Sequence, residues 1–210
     1  MKILHLSDTH GQHRDIDQEQ LLKADVIVHS GDVCHMGDDD QAKDFLKWFD
    51  DLDYPHKILV PGNHDFYFEN EYFWMPDDIN ILIGESEKID GIVFWGSPFT
   101  EQIEPWAFQT FRHEQETLYK SIPDDTDIVI THGPAYGQLD LDGSNFRTGD
   151  AFLRTRLEQL GSLKAHLHGH IHSQYGSKQS GTYTTFNSAL CDSKYCLANR
   201  PQLIDLQNIK

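Results

Sequence analysis

The chain has 210 residues and a formal net charge of −17, from 17 Lys and Arg against 34 Asp and Glu. A field of that sign repels nucleic acid and anionic membranes at long range, which argues against a stable nucleic-acid or membrane partner. The length suits one domain with its own core, expected over 1–210, and three cysteines (Cys34, Cys191, Cys196) make no disulfide framework and fit reduced thiols.

The opening MKILHLSDTHGQH has too short an apolar run for a signal peptide. No stretch approaches the roughly 18 apolar residues of a membrane helix. A soluble, cytoplasmic protein is expected.

Along the chain one phrase recurs: a short apolar, β-rich run and then a polar loop. KILHLS leads into Asp8-Thr9-His10-Gly11, and DVIVHS into Gly31-Asp32. HKILVP leads into Gly62-Asn63-His64-Asp65, DIVIT into His132-Gly133-Pro134, and KAHLH into Gly169-His170. Runs of this kind read as buried strands. Between them lie helical patterns. Asp38 to Leu52 follows an acidic cap and puts Ala42, Phe45, Leu46, Phe49 and Leu52 on one face; Asp150 to Leu160 does the same with Phe152, Leu153, Leu157 and Leu160. Weaker helices are expected over Asp17 to Lys23 and Trp106 to Ser121. Further strand-like runs from Ile79 to Phe99 and from Gly181 to Leu206 suggest a second sheet. Strands alternating with helices imply an α/β sandwich, with ligands gathering beyond the carboxyl ends of the strands.

The polar phrases supply carboxylate, imidazole and amide oxygen. Asp8 and His10 lie two apart, as do His170 and His172, so alternation at a strand end would turn each pair one way. This donor set suits Mn, Fe, Zn, Co or Ni. Each piece alone is ambiguous: D-x-H arises by chance, GNHD fits an ordinary turn, and His132 fits a buried histidine satisfied by backbone. Five such phrases in order, each ending a strand-like run, point to a metal centre.

The ordered set D-x-H, G-D, G-N-H-D, T-H-G-P and G-H-x-H, from Asp8 to His172, resembles the calcineurin-like metallophosphoesterases. THGPAYGQLD and GHIHSQYG look closest to the small metallophosphoesterase-domain branch. The resemblance implies a four-layer α/β/β/α sandwich of two mixed sheets holding two divalent ions, with Mn2+ the leading candidate. It assigns one ion to Asp8, His10, Asp32 and His172, and the other to Asp32, Asn63, His132 and His170, with Asp32 bridging. His64 is then catalytic, as general acid or donor to the transition state, and Asp65 positions its ring. Two such ions against two carboxylates leave a shell of net charge about +2, enough to hold phosphate within an acidic protein. A water activated between them would attack the phosphoryl group in line.

Other residues have humbler readings beside the functional ones. His5, His29, His166 and His168 lie in strand runs and are read as packing; His56 and His113 are read as surface. His13 follows the first motif and fits an exposed loop better than a substrate contact, while His35 is a candidate for the pocket wall. Asn187 either supports the site or satisfies a turn. The aromatic run Phe66 to Trp74 packs a loop or stacks a base, and is one place for a homodimer contact. Arg147 is a possible substrate contact, and Arg154 a surface charge.

Where phosphoprotein phosphatases resemble G-D-x-x-D-R-G, this chain reads GDVCHMG, so His35 and Met36 replace the Asp and the phosphate-gripping Arg. The expected activity is therefore hydrolysis of small, cyclic nucleotide-like phosphodiesters. A small-molecule or nucleotide phosphomonoesterase is the alternative, and a non-catalytic scaffold a distant third.

Overall fold

The computed structural model describes residues 1–70, 73–102 and 105–209. In chain order come β1 (Lys2–Leu6), β2 (Val26–His29), α1 (Asp39–Asp50), β3 (His56–Leu59), β4 (Ile79–Ile81), β5 (Glu85–Ile89) and β6 (Ile92–Ser97). A small ribbon of β7 (Thr100–Glu101) and β8 (Gln109–Thr110) leads to α2 (Arg112–Lys120), β9 (Ile128–Thr131), α3 (Ala151–Gln159) and β10 (Ala165–His168). β11 (Gly176–Ser180), β12 (Tyr183–Asn187) and β13 (Gln202–Asp205) complete the order.

One sheet runs β13-β1-β2-β3-β4 and the other β11-β12-β10-β9-β6-β5. The central strands are parallel, with Ile3 beside Val26, Val28 beside Ile58, and Leu167 between Ile130 and Phe186. Antiparallel β13, β11 and β5 close three of the four edges. Alternation along each strand sorts the layers. Ile3, Val28 and Ile58 meet Phe94, Ile128, Ile130 and Leu167 between the sheets. Leu4, Leu6, Ile27 and Leu59 turn outward onto Phe45, Leu46 and Phe49 of α1. Trp95 and Val129 turn the other way onto Tyr119 of α2 and Leu153 and Leu157 of α3. This is the α/β/β/α sandwich.

The second sheet is not a separate set of middle and tail strands. Consecutive residues Val129 and Ile130 are both buried, so β9 needs cover on both faces, and the interior of a parallel sheet supplies it. The middle and tail runs instead extend both sheets: β4 and β13 join the first, and β5, β6 and β12 the second.

Local chemistry explains the helices. Asp38 caps α1, its carboxylate accepting from the Asp40 amide at 2.7 Å, and Asp150 caps α3 by accepting from Leu153 N at 2.7 Å. The expected helix over Trp106 to Ser121 shortens to α2, because Gln109 and Thr110 pair with β7 and Glu114 closes on the Phe111 amide at 2.9 Å. Asp17 to Lys23 supports only a 3₁₀ turn over Gln18–Gln20. No helix among the described residues is long and apolar enough to cross a membrane.

Candidate metal centre

The motif residues sit just past their strands, on turns with unusual backbone. Asp8, His10, Asp32 and His170 have φ of 53°, 44°, 57° and 65°, left-handed values that cost a residue with a side chain about 1–2 kcal/mol. Strand alternation therefore does not make Asp8 converge with His10, or His170 with His172: β1 ends at Leu6 and β10 at His168. Bonds between loops hold the turns instead. Asp8 N donates to Gly31 O at 2.9 Å and His10 N to Asp32 O at 3.0 Å. His170 N donates to the Asp8 carboxylate at 3.0 Å. Gly169 serves by its lack of a Cβ rather than by its φ, since a methyl there would collide with the Asp8 carboxylate and Ser7 Oγ.

Two donor clusters result. In one, His172 Nε2 lies 3.2 Å from Asp8 Oδ1 and 3.2 Å from His10 Nε2. In the other, His132 Nε2 lies 3.3 Å from Asp32 Oδ1, 2.9 Å from Asn63 Oδ1 and 3.1 Å from His170 Nδ1. Asp32 reaches both, since its Oδ2 stands 3.8 Å from His10 Nε2. Thus all seven expected ligands are brought together. Asp8, His10 and His172 form one group able to hold an ion, and Asp32, His132 and His170 another. A third grouping, His10 with Asp32 and His64, places His64 within ligand reach as well.

The donor chemistry fits cations. His10 Nδ1 faces Cys34 O at 3.0 Å, His132 Nδ1 faces Ser30 O at 2.9 Å, and His172 Nδ1 faces Asp192 O at 2.9 Å. A carbonyl only accepts, so each Nδ1 carries a proton, which leaves Nε2 as the atom that would turn a lone pair to an ion at the centre. Burial would raise Asp8, but the hydrogen bond from His172 and the charge of His132 hold it well below its usual value. Burial likewise opposes ionisation of Asp32, and His132 outweighs it. Burial would lower His132, but Asp32 outweighs it and lifts it to about 9. Burial brings His170 down to about 4.

His64 and Asp65 divide their work differently from the expectation. His64 Nδ1 donates to His35 O at 2.5 Å, its backbone N donates to Asp32 Oδ1 at 2.9 Å, and its Nε2 lies 3.8 Å from Asp32 Oδ2. The ring is thus oriented by the His35 carbonyl rather than by Asp65. Asp65 accepts from the amides of Gly62 at 2.8 Å, Cys34 at 2.9 Å and Val33 at 3.2 Å, binding the Asp32 loop to the Asn63 loop. Burial and the nearby Asp32 charge push it up to about 7.

The remaining histidines separate cleanly. His5 bonds Ser30 and Ser188, His29 bonds Thr9, and His166 bonds Thr131 and Thr185. His168 stacks on His166 at 5.1 Å. His13 is neither exposed nor at the site: it is buried under α1 on Asp44, 3.0 Å away, because Phe45 and Trp48 enclose its ring. Asn187 both satisfies backbone and supports the site, donating to Ile171 O at 2.8 Å between His170 and His172. In the aromatic run, Tyr67 and Phe68 pack into the core and Trp74 is exposed, while Glu71 and Tyr72 lie outside the described residues. Arg154 pairs with Glu158 on α3.

A cleft of about 360 Å³ opens over the clusters, walled by Trp106, Asp142, Ser193 and Tyr195. The Tyr195 ring leans on His10 at 4.8 Å and on His172 at 5.3 Å. Beside it, across Asn63, Trp106 and His170, lies a cavity of about 680 Å³ that includes Phe99, Tyr136, Phe152, Arg112 and Arg147. Trp106 and Tyr195 have no motif to mark them in the sequence, nor have the carbonyls of Ser30, Cys34, His35 and Asp192. They reach the site only through the fold.

An α/β/β/α sandwich with two Asp/His clusters sharing one carboxylate defines a metallohydrolase site. The model of the calcineurin-like phosphoesterase family matches residues 1–174. Metallophosphoesterase domain-containing protein 1 of Homo sapiens is 31% identical across 96% of this chain and 69% of its own length. The UPF0046 protein K07C11.7 of Caenorhabditis elegans is 28% identical across 96% of this chain and 73% of its own. The chain belongs to the calcineurin-like phosphoesterases, metal-dependent hydrolases of phosphoric esters.

Proposed function

We propose that the protein hydrolyses small phosphodiesters, cyclic nucleotide-like in size, using two divalent ions. Asp8, His10, Asp32 and His172 would hold one, and Asp32, Asn63, His132 and His170 the other. Manganese is the leading candidate, with Fe, Zn, Co and Ni served by the same N/O donors. Such ions, when bound, offset phosphoryl charge and acidify water.

One observation carries the diester reading. Among the described residues lining the cleft none is Lys or Arg, and Asp142 is present. A monoester dianion gains from a further cation at the phosphoryl group; a diester carries one charge less. The larger, aromatic-walled cavity beside the cleft shares Asn63, Trp106 and His170 with it and would give the second ester group room. The chain's own residues supply the rest. Asp32 orients both clusters, and His64, held through Nδ1, directs Nε2 toward the leaving oxygen as hydrogen-bond donor or acid. Arg112 and Arg147 in the cavity favour the second reading, a small phosphomonoester, although Arg147 is held by Asp140 at 2.6 Å and Arg112 stands 3.8 Å from Glu101. The three free thiols support a reducing, cytoplasmic setting.

The test compares matched aryl phosphodiesters and phosphomonoesters with the manganese-loaded protein. A higher kcat/KM for the diester is expected. Monoester preference would move the assignment to the second reading, and no turnover with any divalent ion would leave a scaffold.

A further inference from the structure

We propose that Trp106 is the positioning residue of His64, fixing the plane of its imidazole so that Nε2 points into the cleft. The inference rests on the reading of His64 as the group that meets the leaving oxygen. Among the described residues the His64 ring has one hydrogen bond, from Nδ1 to His35 O, which sets the edge that faces the carbonyl but tolerates a tilt of the ring plane. Trp106 removes that freedom. Its ring lies 4.2 Å from the His64 ring at an interplanar angle of 33°, the closest ring pair at the site among the described residues, while the edge of His10 meets the imidazole at 4.9 Å and 81°.

The backbone around Trp106 is built to deliver it there. Ala107 N donates to Asn63 O at 3.0 Å, tying the tryptophan's neighbour to the residue before His64. Phe108 N donates to Glu69 Oε1 at 2.7 Å, and Phe108 is held at a φ of 51°, which a bulky residue adopts only when its surroundings impose it. Trp106 itself is only half-buried and lines both the cleft and the adjoining cavity. Packing into the core therefore does not account for its position.

The experiment uses full-length Trp106→Ala, Trp106→Phe, His64→Ala and the Trp106→Ala/His64→Ala double variant, loaded with manganese. The substrates are aryl methyl phosphates that leave as p-nitrophenolate or as phenolate. Trp106→Ala is expected to lower kcat about tenfold or more for the poorer leaving group and far less for p-nitrophenolate, with metal content unchanged. Trp106→Phe restores most of the loss, and in the His64→Ala background the tryptophan change has no further effect. An equal loss in that background would mean that Trp106 touches substrate itself, which overturns the proposal. Proton–nitrogen spectra of the metal-free proteins read the ring without turnover: the His64 ring signals, assigned by His64→Ala, should move in Trp106→Ala. Unmoved signals overturn the proposal whatever the kinetics. Unchanged turnover in His64→Ala would instead overturn the reading of His64, while the spectrum still decides what holds its ring.

Discussion

His10 and His172 face each other across 3.2 Å through their Nε2 atoms, while each ring gives its Nδ1 proton to a backbone carbonyl, Cys34 O and Asp192 O. His172 Nε2 also lies 3.2 Å from Asp8 Oδ1, and lone pairs this close repel unless a proton or a cation lies among them. Holding them there is work done by the surrounding fold, and a bound ion turns the cost into a gain. Chelation should therefore lower the melting temperature, and saturating manganese at a thousandfold excess over its Kd should add about 4 kcal/mol of stability. Thermal melts with and without chelator check this; equal melting temperatures would count against ion binding at the cluster.

Asp65 gathers three amide protons from two loops. In Asp65→Asn one oxygen remains to accept, and the new NH2 faces a donor. The expected loss is about 2–3 kcal/mol of stability, together with weaker metal binding, because the Asp32 and Asn63 loops are no longer held in register. Urea unfolding and metal titration measure the two effects. A variant as stable as the parent would show that the three amides find other partners.

Gly169→Ala places a methyl group against the Asp8 carboxylate. The protein should fold, with an unchanged far-ultraviolet circular dichroism spectrum, and bind metal about 10–100-fold more weakly. Unaltered affinity would show that Asp8 shifts aside without consequence.

Acid should destabilise the protein through histidines that bind no metal. Burial holds His5 and His166 well below their usual value and brings His29 to about 3. In the unfolded chain all three titrate near 6.5, so below that pH the unfolded state takes up protons that the folded state refuses. The stability these three rings contribute is full above about pH 7 and is lost as pH falls, by about 1.4 kcal/mol per pH unit for each histidine, against an opposing gain of the same slope from the one carboxyl of Asp65, raised to about 7. Urea midpoints between pH 7 and 5 should fall, and His166→Asn should fall less steeply. A flat profile would contradict the assignment of neutral, buried rings.

Much of this was legible in the sequence because it is local. KILHLS, DVIVHS and DIVIT are β-rich runs whose alternation decides which face meets which layer, and Asp38 and Asp150 announce the helices they cap. Asp8, His10, Asp32, Asn63, His132, His170 and His172 could be named because each follows such a run. What the sequence hid is non-local. Nothing near Trp106 indicates that it lies on His64, and Asp65 meets Val33 and Cys34 from another loop. The left-handed backbone at Asp8 and His170 replaced the alternation expected there, since loop-to-loop bonds override local preference. His13 was misread for the same reason: the aromatic faces of Phe45 and Trp48 that bury it come from α1.

Asp32, with one oxygen near His132 and the other toward His10, would serve both ion sites. Metal content per chain, measured by mass spectrometry on manganese-loaded protein after exhaustive dialysis, tests it directly. About two equivalents are expected in the parent and less than about one in Asp32→Asn, because both clusters lose their shared carboxylate. One equivalent or none in the parent, or two retained by Asp32→Asn, would contradict it.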